Sequence, residues 1–177
     1  MGQSLARDEI RAFLERLGEQ YTNPFEFYLL GGSALCFLGS QRRTVDIDCT
    51  IESISSELEA TIDIIARELQ LEVEIITIDE FIPLPPAAST RHYAVGNFGS
   101  ISVYVYDPYS IALSKIARGF ETDIQDVLFL LRQGFIDLDI LSQYVEGILP
   151  VAWDFDIDPN AMKNHFRVVR QLIDIEK

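Results

Sequence analysis

The chain is poor in the residues that build most soft-metal and disulfide sites. Its 177 residues include two cysteines, Cys36 and Cys49, and two histidines, His92 and His165. Neither histidine has a Cys or His neighbour at zinc-ligand spacing, so no zinc site is read. Both cysteines sit among apolar residues and are read as buried, reduced thiols of a cytoplasmic protein. No apolar run approaches the roughly eighteen residues of a membrane span. The N-terminal segment mixes acids into an amphipathic pattern and lacks a signal-peptide hydrophobic region. Gly2 begins an acylation pattern that Ala6 then breaks, since Ser or Thr belongs there. Bases are scarce too: 14 Lys and Arg stand against 28 Asp and Glu, a net charge of −14. That balance argues against a non-specific nucleic-acid binder, which needs broad basic surface to release counterions. It suits a basic partner protein. A local basic groove stays open through Arg42, Arg43, Lys115, Arg118, Lys163, Arg167 and Arg170.

What is present is an ordinary globular composition, 48% apolar and 24% charged, enough for one domain with a buried core. Apolar periodicity predicts a helix over Ser4–Gln20, with Gly18 near its end and Asn23-Pro24 beyond it. Phe25–Leu30 reads as a buried central strand. Asp46–Ile51 and Leu71–Ile78 read as strands on either side of a helix capped by Ser55 or Ser56 and running to about Leu69. The proline-rich stretch Phe81–Ala88 is an extended loop. Arg91–Val95 and Ser100–Tyr106 form a hairpin around Gly96–Gly99. After Asp107-Pro108, a helix-start signal, helices follow near 108–118, 122–133, 137–148 and 159–174. The fold class is α/β of the α+β kind: a small mixed sheet with helices packed on it, then a helical C-terminal part. The division is 1–106 and 107–177, either as two domains or as one.

The chemistry concentrates in Tyr28–Glu52, YLLGGSALCFLGSQRRTVDIDCTIE. Asp46 and Asp48 are two apart on a strand, so both project from one face, with Val45, Ile47 and Cys49 on the other. Two carboxylates side by side call for a cation, and a hard divalent metal prefers oxygen ligands. Upstream, Gly31-Gly32-Ser33 leaves a strand and opens a helix. Glycine lets backbone approach a bulky ligand, and the first N–H groups of a helix suit a phosphate. The stretch is neither a P-loop nor a dinucleotide fingerprint, and no nucleophile elbow surrounds Ser33.

The ordered set of Gly31-Gly32-Ser33-Ala34-Leu35, Arg43-Thr44-Val45-Asp46-Ile47-Asp48, Lys115 and Asp123-Ile124-Gln125-Asp126 resembles the DNA polymerase β-like nucleotidyltransferase superfamily. Within it, the set is similar to the minimal bacterial enzymes that include AbiE-type toxins. The resemblance spans roughly residues 28–132 and implies transfer of a nucleoside monophosphate from an NTP to an acceptor hydroxyl on RNA, protein or a small molecule. It implies that Asp46 and Asp48 hold Mg²⁺ or Mn²⁺, and that Gly31, Gly32, Ser33 and Arg43 hold the nucleotide's phosphates. Lys115 would neutralise phosphate charge, and Asp123 or Asp126 would ligate metal or hold Lys115. It also implies a place in a toxin–antitoxin pair. For a third carboxylate, Glu72 and Glu74 share a strand, and Asp107 ends another but equally reads as a helix cap. Taken without the resemblance, Lys115, Arg118, Asp123 and Asp126 read as a charged helix face. The alternative function is a non-catalytic, antitoxin-like binding module that keeps the fold.

Overall fold

The computed structural model describes residues 4–175, so Gly2 of the broken acylation pattern lies outside the described residues. The chain forms two compact units. One runs through Ile76 and adds His92–Tyr106; the other comprises Thr77–Arg91 and the chain from Asp107 onward.

The first unit is a five-stranded mixed sheet with three helices. Its elements are α1 (Arg7–Gln20), β1 (Phe25–Leu29), α2 (Gly31–Phe37), β2 (Ile47–Thr50), α3 (Ser56–Leu69), β3 (Val73–Ile75), β4 (Tyr93–Phe98) and β5 (Ile101–Val105). The strand order is β3-β2-β1-β5-β4. β1 is central, antiparallel to β2 and parallel to β5; β2 and β3 are parallel, and β4 returns antiparallel to β5. Alternation sorts the two faces. Phe27, Leu29, Ile47, Cys49, Ile101, Val103 and Val105 are buried on one face, together with Phe13 and Leu17 of α1 and Ile62 and Ile65 of α3. Phe13 and Phe27 meet with ring centroids 6.4 Å apart. Each such side chain removed from water contributes roughly 1.5–3 kcal/mol. The other face carries Glu26, Tyr28, Asp48, Thr50, Ser102 and Tyr104.

Three local expectations change. The hairpin turn is Gly99-Ser100, and β4 runs on through Gly96 to Phe98. A register shift between Ala94 and Gly96 absorbs the extra residue. Gly18 lies near the end of α1, as expected, and has a packing reason. It lets the helix lie on the hairpin tip, where a Cβ would stand 2.3 Å from the Phe98 carbonyl oxygen. The strand expected over Leu71–Ile78 shrinks to Val73–Ile75, because Ile78 already begins a 3-10 turn, Ile78–Glu80.

The third change is at the N-terminus. Ser4–Ala6 is extended, not helical, because Leu5 is claimed by a two-way backbone pairing with Thr44 (2.6 and 2.9 Å). The Leu5 side chain is fully buried. Glu9 accepts from the Ala6 N–H at 2.8 Å and pairs with Arg43 at 3.4 Å. The Ala6 and Glu9 backbone N–H groups foremost, then the Arg43 guanidinium, hold the Glu9 carboxyl below its ordinary value of 4.5. A depressed carboxyl contributes stability above its unfolded value and loses it as pH falls through the folded one. The expected result is a melting-temperature gap between wild type and Glu9→Ala that is constant above pH 4.5 and closes at lower pH. A gap that widens on acidification contradicts the assignment.

The second unit holds α4 (Pro108–Arg118), α5 (Glu121–Arg132), α6 (Leu138–Ile148) and α7 (Pro159–Ile175), with a 3-10 segment, Leu149–Phe155, that the sequence pattern did not suggest. Asp107 caps α4 through the Tyr109 and Ser110 N–H groups and takes a two-pronged ion pair from Arg91 at 2.8 and 2.9 Å. Arg91 also stacks on Tyr109 and Tyr144, at 5.2 and 5.6 Å. This clamp fixes the end of the proline-rich loop to the start of α4. No helix among the described residues is long and apolar enough to cross a membrane.

Candidate active site

The site is built where β1 gives way to α2. One backbone bond past the strand, the Leu30 N–H donates to the Asp48 carbonyl at 2.9 Å. The Ser33 hydroxyl then reaches the carbonyls of Leu30 (2.8 Å) and Asp48 (3.0 Å). The first turn of α2 is thereby tied to the backbone of β2 at the residue that carries the acid. Ser33 is fully buried, so in this arrangement its hydroxyl holds the turn together.

The two glycines are set by contact. Gly31 has φ +52°, and a Cβ there would stand 1.9 Å from Asp48 Oδ2. A Cβ on Gly32 would stand 2.6 Å from Thr44 Oγ1. The missing side chains are what let the Asp48 carboxylate and the Thr44 hydroxyl lie against the turn. Thr44 Oγ1 in turn donates to Asp46 Oδ1 at 3.3 Å.

Asp46 lies one residue before β2 rather than on it, and Val45 is 58% exposed rather than core-facing. The pairing of Thr44 with Leu5 pulls this segment off the strand path, while Ile47 and Cys49 stay inward as expected. Burial pushes the Cys49 thiol well up, with the Asp48 carboxylate adding to it, so Cys49 remains an inert thiol.

Glu74 completes the acidic group. Asp48 faces Glu74 in the parallel β2–β3 register. One carboxylate oxygen from each of Asp46, Asp48 and Glu74 lies within 4.8 Å of the others. The sequence offered Glu72, Glu74 and Asp107 without choosing. Asp107 is consumed by its cap and by Arg91, and Glu74 is the acid that converges. A β-α-β unit predicts that β2 and β3 are parallel neighbours, but which β3 residue faces Asp48 needs the register.

The remaining expected residues each have partners of their own. The Arg43 guanidinium turns to Ser4 and Glu9 rather than to the glycine turn. Its neighbour Arg42 approaches the turn: its Nη2 lies 3.4 Å from where a Gly32 Cβ would be. Lys115 and Asp123 belong to the helical unit. There the Lys115 ammonium, 2% exposed, contacts Asp126 at 2.6 Å and Asp123 at 3.4 Å, and Arg118 joins Asp123 at 2.6 Å. Asp126, the second choice from sequence, is the nearer partner.

A family model described as "Nucleotidyltransferase of unknown function (DUF6036)" matches residues 8–171. The chain belongs to this family. Its match covers both compact units, from α1 into α7. No curated protein and no solved structure matches the chain. For a nucleotidyltransferase-family protein, an NTP substrate and a divalent metal are the coarse expectation. The donor set suits such a metal: three carboxylates, no sulfur and no imidazole, the oxygen-only chemistry that Mg²⁺ and Mn²⁺ prefer.

Proposed function

We propose that this DUF6036 protein is a metal-dependent nucleotidyltransferase that moves a nucleoside monophosphate from an NTP to an acceptor hydroxyl. The observation that carries the reading is the convergence of Asp46, Asp48 and Glu74 within 4.8 Å beside the Gly31-Gly32 turn. These three would hold Mg²⁺ or Mn²⁺. Bound there, the metal supplies positive charge to the phosphates and makes a nearby hydroxyl more acidic.

The chain's own groups divide the remaining work. The backbone N–H groups of Gly31, Gly32 and Ser33 open α2 and would hold phosphate oxygens. Arg42, beside Gly32, takes the phosphate-holding role that the resemblance gives to Arg43. Ser33 and Thr44 position the two aspartates. Nothing here acts as a covalent nucleophile; the site works by placement and electrostatics. The acceptor is an RNA, protein or small-molecule hydroxyl. The likeness to AbiE-type toxins favours a toxin–antitoxin setting.

Mn²⁺ titration followed by electron paramagnetic resonance tests the metal site without reference to turnover. Wild type should bind Mn²⁺ in the presence of a non-hydrolysable NTP. Asp48→Asn and Glu74→Gln should each weaken it about tenfold or more, equivalent to ~1.4 kcal/mol. Affinity unchanged by Glu74→Gln removes that residue from the site, and affinity unchanged by both variants removes the site.

A further inference from the structure

The sheet face that carries Asp48 and Glu74 also carries an aromatic shelf in the same unit. Tyr28 of β1 stacks on Tyr104 of β5, with centroids 5.4 Å apart and planes at 24°. His92 lies 4.7 Å from Tyr28 and 4.5 Å from Tyr106, and Tyr106 meets Tyr28 edge-on at 5.9 Å. Tyr104, Tyr106 and His92 are half-buried, whereas Tyr28 beneath them is buried. On the outer flank, Tyr104 is paired with Ala94 of β4, a small side chain.

Register gives the layout. Thr50 lies opposite Tyr28, which lies opposite Tyr104, and Asp48 is two residues before Thr50. At about 3.3 Å per residue and about 4.8 Å between strands, the Tyr28 position is roughly 8 Å from that of Asp48 in the plane of the sheet. Glu26 is two residues further along β1, exposed, and it accepts from the Tyr28 hydroxyl at 2.6 Å. Metal carboxylates, aromatic rings and then a carboxylate acceptor thus follow one another over the length of a nucleotide.

We infer that this shelf binds the nucleobase of the incoming NTP: the Tyr104 ring stacks on it, and Glu26 accepts from its amino-bearing edge. This deepens the nucleotidyltransferase reading and rests on it. Stacking tolerates every base because every base has a π-face. Glu26 adds selection, since an ionised carboxylate only accepts and so favours adenine, guanine and cytosine over uracil, which has no amino group. Burial foremost, then the hydrogen bond to Glu26, pushes the Tyr28 phenol up, so that it stays a proton donor and fixes the orientation of Glu26. The ordinary alternative is that these rings only pack across the strands, as aromatic pairs do in any sheet.

Calorimetric titration with the four Mg²⁺·NTPs and with Mg²⁺·tripolyphosphate, which lacks a base, separates the two. Wild type should bind ATP roughly tenfold or more tighter than tripolyphosphate. Tyr104→Leu should erase that advantage and leave tripolyphosphate affinity unchanged, while Tyr104→Phe keeps it. Glu26→Gln should narrow the preference against UTP several-fold. An advantage that survives Tyr104→Leu, or is absent from wild type while tripolyphosphate binds, overturns the shelf alone. Failure of both ATP and tripolyphosphate to bind wild type overturns the phosphate site, and the shelf with it. If Tyr104→Leu melts before 25 °C, Tyr104→Phe and Glu26→Gln decide: an ATP advantage lost in Phe, or an unchanged UTP preference in Gln, overturns the proposal.

Discussion

Replacing Gly31 by alanine should abolish metal-dependent nucleotide binding and cut transfer on the order of 100-fold, while costing little stability. The separation follows from what the new methyl group meets. At φ +52° an alanine costs about 1–2 kcal/mol of backbone strain. Its Cβ would start 1.9 Å from Asp48 Oδ2, a distance no structure sustains. The yielding atom is the end of a short side chain, so the carboxylate swings away and the backbone survives. Asp48 then leaves Asp46 and Glu74, and a displacement of about 1 Å at a reacting centre already costs ~100-fold. Gly134→Ala is the matched control. Gly134 has φ +72° with nothing within 4 Å of its Cβ, so it carries the strain without the collision. Both variants should melt a few degrees below wild type, and only Gly31→Ala should lose Mn²⁺ binding. Equal loss of binding in both would show that strain, not the Asp48 contact, is what alanine disturbs.

Lys115→Ala should be the most destabilising of the substitutions considered, by ~3–5 kcal/mol, which lowers the melting temperature by roughly 10 °C. The ammonium is 2% exposed and is held by Asp126 and Asp123, which are themselves buried. Removing it takes the ammonium away from both buried carboxylates, of which Asp123 keeps its contact with Arg118. One Asp123 oxygen, Oδ2, is already buried without a hydrogen-bond partner. An inactive Lys115→Ala therefore says little about catalysis. The triple variant Lys115→Met, Asp123→Asn, Asp126→Asn removes the buried carboxylate charges together with the ammonium and should recover most of the lost stability. Thermal melts of the three proteins check this, and a triple variant no more stable than Lys115→Ala contradicts it. Transfer by the folded triple variant then assigns Lys115, Asp123 and Asp126 to the fold; its loss assigns that group to the reaction, as the family resemblance implies.

The parts of the fold and site that were legible in the sequence are those fixed by local chemistry. The Gly31-Gly32 turn, the Asp46/Asp48 spacing, the Ser55 cap and the Asp107-Pro108 helix start each depend on a few adjacent residues. What could not be read depends on partners distant in the chain. Glu74 and Glu72 are equivalent until the β2–β3 register sets one against Asp48. Arg42 and Arg43 are adjacent arginines, and only the strap of Ser4–Ala6 on Thr44 decides that Arg43 turns away from the turn. The packing reason for Gly18, the Phe98 carbonyl, is eighty residues downstream. The hairpin turn was misplaced because a bulge lets β4 continue through a glycine that normally stops a strand. At Lys115 the difference is one of burial: without the resemblance a lysine and two acids at helical spacing read as a charged helix face, and the structure buries them as a network.

Nucleotidyl transfer itself is measured by label transfer from each of the four α-labelled NTPs, with Mg²⁺, into separated RNA, protein and small-molecule fractions. The comparison is the double variant Asp46→Asn, Asp48→Asn, with its fold checked by circular dichroism. The expected result is label entering one fraction with wild type, dependent on Mg²⁺ and absent with the variant. Label that persists in the variant, or no transfer from any NTP together with no Mn²⁺ binding, would contradict it; the second result is what a non-catalytic module that keeps the fold would give.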